Sequence, residues 1–155
     1  MATDDSPVQA VDGVQRVGKY QVVGRLGQGA MGQVYLAEDP HIGRRVAVKV
    51  MKAAGEEDRQ RFLHEARIVG SLAHPNVVVL HDFGFHDERP YLVLEYLPGV
   101  SLDVWLRGEH ALSEHLRIVE GLLSALVHAH SQGVLHRDLK PSNVQVLPSV
   151  RSRSP

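Results

Sequence analysis

Cysteine is missing altogether from the 155 residues. That excludes disulfides and thiolate metal sites, and it leaves any fold to be held by packing. Aromatic residues are scarce at 5%, and net charge is nearly absent, with 17 Lys and Arg against 18 Asp and Glu. This balance gives no electrostatic argument for nucleic acid or an acidic membrane. No apolar run reaches the ~20 residues needed to cross a bilayer, so no membrane segment is expected. The opening Met1-Ala2-Thr3-Asp4-Asp5 is acidic and lacks the apolar segment of a secretory leader. Ten His residues are present but scattered. His128 and His130 lie two apart, which points them to different sides of a helix, so they do not read as a metal pair.

What is there is enough chain for one ordinary domain, 43% hydrophobic and 23% charged, able to bury a real core. Residues 1–16 mix Asp4, Asp5, Ser6, Pro7 and Gly13 with few large apolar side chains and are expected to form a disordered arm. Strand character follows over Tyr20–Leu26, Val34–Glu38 and Arg45–Val50, with a turn at Asp39-Pro40-His41-Ile42-Gly43. Residues 56–72 read as a helix, with Glu56, Glu57 and Asp58 at its positive end and Phe62, Ala66 and Val69 on one face. His74-Pro75-Asn76 stops it, and Val77-Val78-Val79-Leu80 begins a buried strand. Asp82-Phe83-Gly84 reads as a strand end and turn. Tyr91–Leu97 is a further strand broken by Pro98-Gly99. A short helix begins at Ser101, and a longer one runs from an N-cap at Ser113 to about Ser131, closed by Gly133. Its stripe of Leu116, Val119, Leu122, Leu123, Leu126 and Val127 is broad enough to expect neighbours on more than one side.

Two stretches carry chemistry. Gly27-Gln28-Gly29-Ala30-Met31-Gly32 is a G-x-G-x-x-G match, in which glycine lets the backbone approach phosphates with no side chain in the way. A dinucleotide-binding oxidoreductase needs a helix opening at the third glycine, and here a β-hairpin is expected instead. The plainer alternative is a Gly-rich hairpin turn. The second stretch is His136-Arg137-Asp138-Leu139-Lys140-Pro141-Ser142-Asn143. Phosphoryl transfer needs a carboxylate to take a hydroxyl proton, a cation on the moving phosphate and an oxygen ligand for Mg²⁺. Asp138, Lys140 and Asn143 supply one of each. The plainer alternative is a helix-to-strand turn with an ordinary surface Asp and Lys.

The octapeptide resembles the catalytic loop of protein kinases, H-R-D-L-x-x-x-N, and Lys140 resembles the serine/threonine branch. Gly27, Gly29, Gly32 and Val34 resemble the kinase glycine-rich loop, and Val46-Ala47-Val48-Lys49 follows where that family places its strand lysine. From Tyr20 to Val146 the chain thus resembles the first part of a eukaryotic-like serine/threonine kinase domain of the bacterial type. The resemblance implies an α+β protein-kinase-like fold: an antiparallel-sheet small lobe with one helix, then an incomplete helical large lobe. The small lobe is expected over about 17–94, the hinge over 95–99, the start of the large lobe over 100–146 and a disordered tail over 147–155. It implies ATP and Mg²⁺ as cofactors, a protein substrate and a cytoplasmic location. Lys49 would meet the α and β phosphates, paired with Glu65 of the helix, although Glu56 and Glu57 remain alternatives for that role. Val34 and Ala47 would form part of the lid over adenine. Leu94 would gate the pocket behind it, and the main chain of Glu95 and Leu97 would bond the base. Asn143 would bind the metal.

The family's D-F-G holds Mg²⁺ but follows the catalytic loop. Asp82-Phe83-Gly84 precedes it and is expected to have no metal role. No D-F-G or A-P-E follows Asn143. The chain is therefore expected to be a kinase domain cut short, catalytically deficient by itself, with a non-catalytic nucleotide- or partner-binding small protein as the alternative.

Overall fold

The computed structural model describes residues 13–29, 32–52 and 55–148. They divide into two units, with the border between Tyr96 and Leu97, inside the segment read as a hinge. The first unit contains β1 (Arg16–Val17), β2 (Tyr20–Gly29), β3 (Gly32–Asp39), β4 (Arg44–Met51), α1 (Glu56–Gly70), β5 (Leu80–His86) and β6 (Arg89–Glu95). The strands form one antiparallel sheet in the order β1-β2-β3-β4-β6-β5.

Alternation along the strands decides which face is dry. Tyr35, Ala37, Val46, Val48, Val50, Tyr91 and Val93 are buried together with Val17 and Tyr20. These residues follow the two-residue period of a pleated strand, so one face of β3, β4 and β6 forms the core. Fully burying a side chain of this size contributes about 1.5–3 kcal/mol each. Two register shifts in β2, at Val22/Gly24 and Arg25/Gly27, bend this strand where the glycine stretch begins. The β5–β6 hairpin turns through Asp87 and Glu88, both at positive φ (47° and 61°), the geometry of a two-residue turn that matches strand twist.

Helix α1 buries Phe62 and Ala66. The Phe62 ring meets Phe83 and Phe85 edge-on, at centroid distances of 6.3 and 5.6 Å. Arg59 adds its guanidinium 4.1 Å over the Phe85 ring. One phenylalanine between two others thus clasps the helix to β5.

The second unit contains β7 (Val100–Ser101), α2 (Leu102–Trp105), α3 (Leu112–Ser131), a 3₁₀ turn (Pro141–Asn143) and β8 (Gln145–Val146). β7 pairs antiparallel with β8, Val100 opposite Val146 and Ser101 opposite Gln145. The Trp105 ring stacks on His110 at 3.5 Å, and His110 Nε2 lies 2.7 Å from the Trp105 carbonyl. α3 ends in a Schellman motif: Val134 N–H bonds Ala129 O and Gly133 N–H bonds His130 O, both at 2.9 Å, with Gly133 at φ 73° as the left-handed C-cap position favours.

Several boundaries differ from expectation. The arm expected over 1–16 is ordered at its end: Arg16 pairs with Gln21, and Gln15 O accepts Val22 N–H. Residues 1–12 lie outside the described residues, as do 149–155 of the expected tail. The strand expected from Val77 begins at Leu80, because Val77 N–H is turned back to His74 O. Asp82-Phe83-Gly84 lies inside β5 rather than at a turn. α3 starts at Leu112 rather than after a Ser113 cap, since Glu114 Oε2 accepts the Ala111 N–H at 2.9 Å. That bond is one half of a capping box; a methyl side chain at Ala111 cannot return the other half.

Candidate active site

In the first unit, strand register fixes what stands beside what. Val34, Lys49, Leu92 and Phe83 form one row across β3, β4, β6 and β5, and Leu36, Ala47, Leu94 and Leu80 form the next. Both rows are out of phase with the buried valines, so they lie on the opposite sheet face, where Leu36 is also buried. Val34, Ala47, Lys49 and Leu94, four of the residues expected around a nucleotide, thus share one sheet face. Phe83 in the same row is where α1 is clasped.

The glycines play unequal parts. Gly27 pairs with Val34 and Gly29 with Gly32, and Ala30 and Met31 at the tip lie outside the described residues. A Cβ on Gly27 or Gly29 would meet nothing within 4 Å. On Gly32, at φ 143°, it would stand 2.0 Å from Val50 O. Gly32 is therefore demanded by the fold, whereas Gly27 and Gly29 leave open backbone facing outward. β3 begins at Gly32, so no helix opens there and the dinucleotide-binding reading fails on its own criterion.

The remaining expected residues of this unit fall as follows. Glu65 is exposed on α1, and among the described residues no ion pair joins it to Lys49. Glu56, one of the alternatives, bonds within its own helix to Gln60 and Arg59. Glu95 N–H donates to Val79 O at 2.9 Å. Asp82 accepts the Tyr20 hydroxyl at 2.8 Å and its own neighbour's Phe83 N–H. Burial first, then this bond and the Asp82 charge, push the Tyr20 hydroxyl above the ordinary tyrosine range. No local pattern announces that pairing, which joins residues 62 positions apart.

The second unit begins at Leu97 and holds the loop. Arg137 takes a positive φ of 61°, and Asp138 N–H returns to His136 O at 2.8 Å. This tight reversal presents Asp138 outward. Lys140 Nζ lies 3.2 Å from Asp138 Oδ2. Asn143 Nδ2 donates to Asp138 O at 2.8 Å and to its Oδ2 at 3.3 Å. Pro141 opens the 3₁₀ turn, Asn143 N–H bonds Lys140 O, and Leu102 N–H bonds Val144 O, so β7 and α2 brace the loop. That brace was not legible in the sequence, because two-residue strands carry no period.

The Lys140 hydrogen bond, with smaller help from Asn143 and His136, holds the Asp138 carboxyl below the usual carboxylate range. It is ionised at neutral pH and can accept a hydroxyl proton's hydrogen bond. With its NH₂ committed to Asp138, the Asn143 amide has its oxygen left, a hard donor of the kind Mg²⁺ takes. Among the described residues no group of three His, Asp or Glu could hold a metal, so the protein ligands here fit Mg²⁺ only in part. Among them also, no helix is long and apolar enough to cross a membrane.

The protein kinase domain family model matches residues 20–149. Serine/threonine-protein kinase PrkC of Bacillus subtilis is 40% identical over 134 residues, covering 83% of this chain and 21% of its own length. Serine/threonine-protein kinase Pkn1 of Myxococcus xanthus is 42% identical over 132 residues, covering 83% of this chain and 19% of its own. The crystal structure of the Mycobacterium tuberculosis PknI kinase domain superposes with a TM-score of 0.76 at 34% identity, over 88% of this chain and 58% of that one. The chain thus spans about a fifth of these curated relatives. With its α+β fold, its hairpin of glycines and its Asp-Lys-Asn loop, the chain belongs to the protein kinase family, as part of a eukaryotic-like serine/threonine kinase of the bacterial type.

Proposed function

We propose that this chain supplies the nucleotide-binding lobe and the catalytic loop of an ATP-dependent serine/threonine protein kinase, which moves the ATP γ-phosphoryl group to a protein hydroxyl. The observation that carries the reading is the Asp138–Lys140–Asn143 cluster, with Lys140 Nζ and Asn143 Nδ2 both within 3.3 Å of Asp138 Oδ2. In this reading Asp138 orients the acceptor hydroxyl and takes its proton, and Lys140 neutralises charge on the transferring group. Asn143 holds Mg²⁺, which when bound neutralises phosphate charge. Backbone N–H groups around Gly27, Gly29 and Gly32 cradle phosphates, and Lys49 meets the α and β phosphates. Val34 and Ala47 cover adenine, Leu94 stands behind it, and the Glu95 and Leu97 main chain bonds its edge. Glu65 pairs with Lys49 only after α1 carries it inward. ATP as co-substrate supports a cytoplasmic location.

For these 155 residues by themselves, transfer is expected to be slow, because among the described residues Asn143 is the one ligand assigned to Mg²⁺, it is neutral, and Mg²⁺ wants near-octahedral oxygen coordination. Losing ~4 kcal/mol of transition-state stabilisation slows a step about 10³-fold. Nucleotide binding and transfer are therefore measured separately. A fluorescent ATP analogue should bind the chain and lose affinity about tenfold or more in Lys49→Met. No saturable binding, or binding indifferent to Lys49, refutes the nucleotide assignment. Robust Mg²⁺-dependent phosphorylation by the chain alone, abolished in Asp138→Asn, refutes the deficiency and upholds the loop.

A further inference from the structure

Two cavities of about 160 and 170 Å³ open on the first unit and share Val50 and Arg89 in their walls. The second is lined by Gly29 and Gly32 of the glycine hairpin and by four polar side chains, Gln28, Gln33, Lys52 and Arg89, with no carboxylate. Both glutamine oxygens are already engaged: Gln33 Oε1 accepts the Tyr35 hydroxyl, and Gln28 Oε1 accepts Arg25 Nη1 at 3.5 Å. Each amide then has its NH₂ to offer. Among the described residues neither Lys52 nor Arg89 has a carboxylate partner. The polar side chains of this wall therefore offer two amide NH₂ groups and two cations, with no negative charge among them. The adjoining cavity adds Arg16 and His86, with one acid, Asp87, placed 3.6 Å from His86 Nε2.

Gln33 pairs with Val50, one position from Val34 and Lys49. Their side chains point to the sheet face opposite Lys49. A ligand here would meet these side chains on the face opposite Lys49, while sharing the hairpin of Gly29 and Gly32 with the proposed ATP site. Charge decides which anion fits. A carboxylate brings one charge and would leave one of two cations uncompensated. A phosphoryl group is close to dianionic above its second pKa of about 6, and its oxygens match an Arg fork plus single donors.

We propose that the cavity walled by Gln28, Gln33, Lys52 and Arg89 binds a phosphoryl group on the sheet face opposite Lys49. The site goes beyond the nucleotide reading: it shares the hairpin of Gly29 and Gly32 but needs neither Lys49 nor the Asp138 loop, so Lys49→Met separates the two. Its group comes either as free phosphate or on a phosphorylated side chain.

The test is an NMR titration of the full chain, at constant ionic strength, with inorganic phosphate and with O-phosphoserine. Saturable shifts are expected at the Gln28 and Gln33 side-chain NH₂ groups and at Lys52. Affinity should fall at least about tenfold in Lys52→Gln/Arg89→Gln, and in part in each single variant, while Lys49→Met keeps it. Equal affinity for both probes assigns the group alone; tighter phosphoserine assigns a phosphorylated side chain. Both exchanged residues are exposed, and the same spectra report folding. Shifts that persist in the double variant, vanish in Lys49→Met or are reproduced by chloride overturn the proposal. An ATP-analogue titration of the same variants separates the two readings: a chain that binds no nucleotide yet keeps the phosphate shifts refutes only the nucleotide assignment.

Discussion

Substituting alanine for each glycine of the hairpin in turn should split stability from nucleotide binding. In Gly32→Ala the new Cβ would stand 2.0 Å from Val50 O and 3.1 Å from Met51 Cα, with the residue at φ 143°. A side chain held in that region costs about 1–3 kcal/mol. Relieving the overlap requires the last β3–β4 pair, Gly32 opposite Met51, to part, at about 1 kcal/mol for each ladder bond lost. The sum is about 2–4 kcal/mol. At ~4–8 °C per kcal/mol for a unit of this size, the sheet's thermal midpoint should fall by about 8 °C or more. Gly29→Ala meets nothing within 4 Å, and its midpoint should move by less than ~0.5 kcal/mol equivalent. In the proposed nucleotide site that open space is where a phosphate approaches, so ATP-analogue affinity should fall although the fold does not. Circular dichroism melts and an analogue titration of both variants decide the matter. Equal destabilisation by the two substitutions, or a Gly32→Ala protein as stable as the parent, would refute the reasoning.

Four further outcomes are expected. Phe62→Ala removes the ring between Phe83 and Phe85, a loss of about 3–5 kcal/mol if the site cannot relax; because α1 buries little else, hydrogen exchange should accelerate across Glu56–Gly70 before the strands. The folded chain holds the Tyr20 proton more tightly than the unfolded chain does, so its contribution to stability is intact below about pH 10 and falls above it; Tyr20→Phe should flatten that alkaline loss in melts followed across this range. Asp138 has a lowered carboxyl pKa, so its contribution is present above the ordinary carboxylate pKa and fades as pH falls; Lys140→Met should raise its carboxyl titration toward the ordinary value by carbon NMR. Leu112, Leu116, Val119, Leu123 and Val127 are each at least half exposed, so Leu116→Glu/Leu123→Glu should lower dye binding and light scattering while moving stability little.

How much of this was legible in the sequence depended on the range of the interactions. Period-two spacing told that Val34, Ala47 and Lys49 lie on strands, and register then put them on one face with Leu94. Asp138, Lys140 and Asn143 sit within six residues, so a local motif sufficed to gather them. Asp82-Phe83-Gly84 misled because its local preference is for a turn. Tertiary contacts override that preference: Tyr20 holds Asp82, Phe62 packs on Phe83, and a Cβ on Gly84 would lie 2.8 Å from the Tyr91 hydroxyl, so only glycine leaves room for that ring. Ser113 is a better cap than Ala111 in isolation, but Glu114 reaches back to the Ala111 N–H and starts the helix earlier. The positive φ of Arg137 had no signal at all, since a non-glycine residue seldom adopts it.

The two parts of the proposed chemistry rest on different kinds of support. Lys49 stands on a strand whose neighbours Val48 and Val50 are buried in the sheet's core, and moving it means unpacking that core. Asp138, Lys140 and Asn143 are exposed, and α3 before them has no buried residue. Their geometry is set by main-chain bonds, the Pro141 turn and the short β7–β8 pair. Packed cores open only near the global unfolding free energy, whereas solvent-exposed hydrogen-bonded loops open at much lower cost. Positional precision of well under 1 Å is what separates a catalytic loop from a merely similar one. Nucleotide binding by the first unit should therefore persist under conditions, such as mild denaturant or warming, in which the Asp138 loop has already lost its arrangement. The structural requirement for transfer is thus stricter than that for binding, and it falls on the less supported of the two units.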